Sequence, residues 1–378
     1  MFSTPQDMRQ PNGRSRYAFV TFLMLNDSYL PGVLLLAHGL RRQKTEADLI
    51  CMVTEEISRP ARQALAQLYD FVIDVEKIFV PHARVGKRPY LPYVFTRLHA
   101  LRLGADGDLG HSYDKIALLD ADLLPLRHYD HLFTLPTPAG TINERKTNVM
   151  EWGEDGNFII PDSVAQDGTW NWHQIYADCP HGQSIPHEIT DRVADDPTNM
   201  GVISSLLVLE PSLAEFNAVM QDIQSPEMQP LVSDAFDWPE MQYLTMRYSG
   251  HWTNVDLRFH SLNGYPNLDV LYGIHFTGFK PWQFRREGSM DRYGRRDDFQ
   301  LWFTLYREML QAHPRLQSNR KLQSLLQKID KFLGIISPLP QTGPDQKRPS
   351  ARKLPRSKAP ERRKTGKKSR KNRKNGRS

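Results

Sequence analysis

The chain of 378 residues is long enough for one large domain or two, and its two cysteines, Cys51 and Cys179, exclude a disulfide framework. No stretch approaches the ~20 apolar residues of a membrane span, and the first sixteen residues lack the apolar centre of a secretory signal. The formal net charge of +6 is unevenly spread: residues 341–378 hold sixteen Lys or Arg against Asp345 and Glu361, a net of +14, which leaves −8 for residues 1–340.

In chain order, residues 1–15 read as a flexible N-terminus. Apolar runs then predict strands near 17–24, 47–53, 71–75 and 115–119, with Cys51 a small core residue of the second. Helical patterns over 31–42, 58–69 and 92–103 alternate with them. That alternation predicts an α/β domain with a doubly wound, mainly parallel sheet. Residues 141–200, rich in Trp, His, Asp, Pro and Gly, show no clear period and read as an irregular insertion. Trp170, Trp172 and His173 within it suit stacking on an acceptor, or a small core of the loop's own. A strand at 202–209 and a helix near 212–224 follow, and 296–334 reads as two amphipathic helices parted near Pro314. The domain is therefore expected over 16–335. Residues 336–378, with almost no large apolar side chains, are expected to be a disordered basic tail suited to solubility, nuclear import or unspecific contact with a polyanion such as nucleic acid.

Two strings carry chemistry. Lys115-Ile116-Ala117-Leu118-Leu119-Asp120-Ala121-Asp122 ends a buried strand in two carboxylates. Ligands of open α/β sheets bind beyond the carboxyl ends of the strands, and paired Asp residues there form a hard oxygen site suited to Mg²⁺ or Mn²⁺ held with a diphosphate. Two turn aspartates would give the same string, so the pair is informative only in company. A haloacid-dehalogenase phosphatase is excluded, because Leu123-Leu124-Pro125 stands where its Gly or Thr would be. The company is His275-Phe276-Thr277-Gly278-Phe279-Lys280-Pro281-Trp282, at the end of a second apolar segment. It offers an imidazole ligand, a glycine for close backbone approach and a lysine charge for phosphate.

With these strings in order, residues 16–285 resemble the family-8 retaining glycosyltransferases, which include glycogenin and galactinol synthase. Further matches are Thr21, Asn26 and Tyr29 of the first strand and loop, Arg88 in Lys87-Arg88-Pro89, and Arg97 in Thr96-Arg97-Leu98-His99. The spacing from Thr21 to Asn26 is one residue longer than in glycogenin. The resemblance implies a Rossmann-like, GT-A type domain and transfer of a hexose or pentose from a UDP-sugar, with Mn²⁺ or Mg²⁺ bridging the diphosphate. It implies Asp120, Asp122 and His275 as metal ligands. Thr21, Asn26, Tyr29, Arg88, Asp120, Ala121, Gly278 and Lys280 would hold the donor. Lys280 would act in catalysis with Arg97 or Arg88, and Glu240 would take the family's acidic position.

Two departures stand out. Ile203-Ser204-Ser205 replaces the family's Asn-x-Gly, and Asn199-Met200-Gly201 lies four residues too early to substitute. Met241 stands where a Gln is expected, with Gln242 one position late. These departures bear on sugar identity and on transfer itself rather than on the metal. They keep open a catalytically impaired nucleotide-sugar-binding protein, beside a protein whose role is set by its basic tail. The acceptor, whether glycan, polyol, lipid or protein, is not encoded in any motif. A cytoplasmic homodimer, as in glycogenin, is a further implication of the resemblance.

Overall fold

The computed structural model describes residues 3–86, 88–142, 151–152, 158–159, 179–196, 199–264, 267–284 and 289–335. The first strands form where the apolar runs place them: β1 (Tyr17–Leu23), β2 (Asp48–Val53), β3 (Phe71–Asp74) and β4 (Lys115–Leu119). They are followed by β5 (Leu123–Pro125), β6 (Ala139–Ile142), β7 (Glu151–Trp152), β8 (Phe158–Ile159), β9 (Val202–Leu209), β10 (Thr253–Asn254), β11 (Ser261–Leu262) and β12 (Gly273–His275). The main sheet runs β10-β6-β9-β4-β1-β2-β3. β1 pairs in parallel with β2 and β4, β2 with β3, and β6 with β10, whereas β9 is antiparallel to both β4 and β6. This is the mixed, mainly parallel α/β sheet expected from the sequence. A small sheet of β11, β12 and β5, and a ribbon of β7 and β8, complete the strands among the described residues.

The central strands are buried on both faces, which is why they read as continuous apolar runs. Phe19 and Leu23 of β1 join Ala117 and Leu119 of β4 in one core, while Ala18 and Val20 join Ile116 and Leu118 in the core on the opposite face. The first core is covered by α1 (Leu30–Arg42), in which every residue from Gly32 to Leu40 is buried. A helix apolar all round must be enclosed on all sides. The next helices in the chain are α2 (Arg59–Leu65), α3 (His187–Asp195), α4 (Leu213–Asp222), α5 (Pro239–Arg247) and α6 (Ser289–Tyr293). The last two are α7 (Asp297–Ala312) and α8 (Arg320–Leu333), which separate around Pro314 as the sequence predicts and pack their apolar faces into the same core as α1. The opposite core is covered by α4, α5 and the helical segment Leu91–Leu103.

Three local details differ from the sequence reading. Leu91–Leu103 is helical but wound as a 3-10 helix, with the Pro92 carbonyl turned out to accept the Val80 amide at 2.8 Å. The stretch expected to be irregular carries α3, which was hidden because only Ile189 and Val193 mark its apolar face. Within the expected N-terminal tail, Met8 is buried and Arg9 bridges Ser15. Trp170, Trp172, His173, Lys87 and the basic tail lie outside the described residues. Among those described, no helix is long and apolar enough to cross a membrane.

Asp27 ties the β1–α1 loop to the rest of the fold. It accepts the Ser58 amide at 3.0 Å, the Ser58 hydroxyl at 2.7 Å and Lys321 of α8 at 2.8 Å. Burial alone would push its carboxyl up, but Lys321 and Ser58 outweigh burial and hold it below the usual carboxylate value. The stabilisation it supplies is therefore complete above the unfolded-state value and is lost as pH falls through the lower folded value. Asp27→Asn is expected to cost about 1.5–3 kcal/mol at pH 7. In urea unfolding followed at pH 7 and then stepwise below pH 4, the difference from wild type should shrink as the wild-type carboxylate protonates.

Candidate active site

The site forms where β4 ends. The Asp120 amide donates to the Ser205 carbonyl at 2.9 Å, prolonging the β4–β9 ladder by one residue. The chain then turns, with Leu123 N bonded to Asp120 O at 3.1 Å, and enters β5. β5 pairs antiparallel with β12 so that Leu123 faces His275 and Leu124 faces Ile274. The Phe276 amide closes the junction on the Asp122 carbonyl at 3.1 Å. Two motifs far apart in sequence thus meet edge to edge.

Their side chains converge. His275 Nε2 lies 3.2 Å from Asp122 Oδ1 and 3.6 Å from Asp120 Oδ2. One ligand atom from each of the three residues falls within 4.8 Å of the others, a donor set of two carboxylates and an imidazole. That set fits a divalent cation such as Mn²⁺, for which imidazole and carboxylate are both acceptable ligands. Lys280 donates to Asp122 Oδ2 and to the Phe276 carbonyl. It therefore uses the carboxylate oxygen that His275 does not face. Burial would raise the Asp122 carboxyl, but Lys280 and His275 more than offset it and hold Asp122 well below its usual value.

Arg97 reaches the same cluster from the 91–103 helix. It lies 3.1 Å from Asp120 Oδ1 and 3.6 Å from Glu240 Oε1, and it donates to Ser204 Oγ at 3.3 Å and to the Ser204 carbonyl at 2.7 Å. Glu240, at the first turn of α5, is 4% exposed. Burial pushes its carboxyl up to about 7, against the pull of Arg97. Asp120, Asp122, His275, Arg97, Glu240 and Lys280 are thus one connected charge cluster, buried except for the half-buried Asp120 and Arg97.

The other expected donor-binding residues occupy varied settings. Thr21 is buried, with its hydroxyl donating to the Leu119 carbonyl at 2.8 Å. Asn26 is exposed and caps the turn 27–29 by accepting the Ser28 amide at 2.8 Å. Tyr29 packs edge-on against Trp282 at 5.4 Å, with the Lys280 ammonium 5.8 Å from its ring centre. Arg88 stacks over the Trp238 ring at 4.0 Å. Gly278 is exposed in the turn before Lys280. Ala121 is half-buried, and its carbonyl faces Gly32 of α1: a Cβ at residue 32 would sit 2.4 Å from that oxygen and 2.5 Å from the Trp282 ring.

The two departures also have a structural account. Ile203 is buried, and it is Ser204 beside it that meets Arg97. Gln242 is wholly buried; its Oε1 accepts the Trp238 amide at 2.8 Å and its Nε2 donates to the Asn199 carbonyl at 2.9 Å. The first of these bonds ties it to the N-cap residue of α5. Sequence reading missed Ser204, Ser205 and His260, which lie in or under the cluster. In the sequence Ser204 and Ser205 stand only as departures from the Asn-x-Gly pattern, and no motif marks His260.

No protein-family profile matches the chain. It is similar to an uncharacterised protein of Acanthamoeba polyphaga mimivirus, 27% identical over 310 residues that cover 77% of this chain and 94% of that protein. It is similar to galactinol synthase 6 of Arabidopsis thaliana, 25% identical over 316 residues that cover 81% and 85% of the two chains. A shorter stretch of 123 residues is 38% identical to glycogenin-1 of Caenorhabditis elegans, covering 32% of this chain and 27% of that one. Among solved structures it aligns with an active-site mutant of LgtC at 14% identity and a TM-score of 0.48, covering 77% of this chain and 95% of that chain.

Two outcomes follow from the geometry. Because the folded Glu240 binds its proton more tightly than the unfolded chain does, it makes stability decline as pH rises from its ordinary 4.5 towards about 7. Glu240→Gln should remove that slope, so the variant gains on wild type by up to about 3 kcal/mol between pH 4.5 and 8 in urea titrations. Gly32→Ala should cost about 1–3 kcal/mol through overpacking, read as a lowered urea midpoint at an unchanged slope.

Proposed function

We propose that this chain, a homologue of the galactinol synthases and glycogenins of glycosyltransferase family 8, transfers a hexose or pentose from a UDP-sugar to an acceptor with retention of configuration. The observation that carries the reading is the meeting of Asp120, Asp122 and His275 at the end of β4, fenced by Lys280 and Arg97.

A divalent cation held by Asp120, Asp122 and His275, Mn²⁺ or Mg²⁺, would neutralise charge on the departing diphosphate. Lys280 supplies a second, fixed positive charge on the same side, and its buried position keeps it undiluted by water. Arg97, braced by Ser204, orients Asp120 and sets a third charge between Asp120 and Glu240. Glu240, with a carboxyl value near 7, can take or release a proton at the acceptor side at neutral pH. Thr21, Asn26, Tyr29, Arg88, Ala121 and Gly278 are assigned to the donor nucleotide and diphosphate, with Thr21 acting through the β1–β4 junction it bonds.

Met241 favours one second reading. It is a buried thioether at a position where the family carries an amide, and a protein that binds UDP-sugar without turning it over would fit that loss.

The test is UDP release by the full chain across a panel of UDP-sugars, with Mn²⁺ or EDTA. Release with one sugar is expected, abolished by EDTA and reduced at least about 100-fold in Asp122→Asn. Mn²⁺-dependent UDP binding with no release from any sugar would favour the inactive binder. Absence of UDP binding would end both readings.

A further inference from the structure

Beneath the charge cluster lies a buried chain of hydrogen bonds that the proposed chemistry does not use. Thr141 of β6 donates to the Val255 carbonyl at 2.7 Å, which spends its only hydroxyl proton. His260 Nε2 lies 2.6 Å from the same Thr141 oxygen and must therefore be the donor. His260 Nδ1 is then left as an acceptor, and Ser205 Oγ donates to it at 2.8 Å. The network fixes one neutral tautomer. Its members are sealed from water: His260 is 0% exposed, Ser205 2% and Thr141 4%. Burial also depresses the His260 imidazole, to about 3, which keeps the ring neutral.

Ser205 is not a neutral place to anchor. Its carbonyl accepts the Asp120 amide. Its neighbour Ser204, pointing to the other face of β9 as strand geometry requires, holds Arg97, which in turn holds the Asp120 carboxylate. The two serines therefore fix Asp120 twice, by its backbone and by its side chain. His260 also leads into β11, whose Leu262 pairs with His275. One buried ring thus ties the strand beside Asp120 to the strand that carries His275.

We propose that His260 is a positioning residue for the metal site, acting through Ser205 to set Asp120 against His275. The inference rests on the metal-binding reading above and adds to it a buried serine–histidine strut. Hydrogen-bonded supports of this kind commonly change metal affinity by ~10–100-fold when removed.

Mn²⁺ titration of the full chain, followed by the EPR signal of free Mn²⁺, tests the strut without turnover. Ser205→Ala removes the bond to the ring with little change of volume, and His260→Phe fills the cavity without the ring nitrogens. Each is expected to raise the Mn²⁺ dissociation constant at least ~10-fold, and the double variant should be no worse than the poorer single one, since both break one bond. His260→Gln, which can both donate and accept, should recover part of the affinity. If Ser205→Ala lowers the melting temperature but leaves the dissociation constant within ~2-fold of wild type, the strut is merely structural and the inference is overturned. Wild-type protein that binds no Mn²⁺ would instead overturn the metal reading itself, and the strut with it. Should His260→Phe fail to fold, Ser205→Ala and His260→Gln still decide the matter.

Discussion

The antiparallel pairing of β5 with β12 is the constraint on which the site depends. Each strand is only three residues long, yet together they bring residues 158 positions apart into contact. The pairing forces His275 alongside Leu123, and thus beside Asp122, and the Phe276 amide locks the junction. Without that register the two acidic residues would be an ordinary turn after a parallel strand. A slip of one residue would turn His275 to the opposite face.

The second constraint is electrostatic. Asp122, Glu240 and Lys280 are nearly excluded from water, and a buried charge is tolerated only when paired. The cluster meets that demand by sharing. Lys280 takes one oxygen of Asp122 and leaves the other to His275, while Arg97 stands between Asp120 and Glu240. At Glu240 the compensation is incomplete: Oε1 has no hydrogen-bond partner among the described residues, and burial pushes the carboxyl up to about 7 against the pull of Arg97.

Much of this was legible in the sequence, and for physical reasons. Strands buried on both faces leave continuous apolar runs, so β1, β2 and β4 could be placed within a residue or two. Helices with strong amphipathic or wholly apolar patterns, such as α1, α7 and α8, could be placed too. Two site-forming strings that end apolar segments drew attention to Asp120, Asp122 and His275, and it was the family resemblance that put the three in one set. What was hidden lies in short or solitary elements. Three-residue strands have no period to detect, so the β5–β12 junction left no trace. Single polar residues inside apolar stretches, Ser204, Ser205 and His260, declare a role only when the fold supplies their partners. Gln242, one position off the family's pattern, bonds the Trp238 amide at the start of α5 and the Asn199 carbonyl, contacts that no sequence pattern announces.

An aromatic column links the site to the last part of the chain. Tyr29 meets Trp282 at 5.4 Å, Trp282 meets Trp302 of α7 at 5.6 Å, and Trp302 stacks on Tyr306 at 5.0 Å. The polar groups of the site are all in place by residue 280, but the wall behind Trp282 is made by residues that leave the ribosome later. The parallel strands β1 to β4 can associate early in synthesis, whereas the floor under Lys280 must wait for α7. A chain interrupted before that helix would carry every chemical group the site needs and have nothing firm to hold them against, so the site assembles only once α7 has been made.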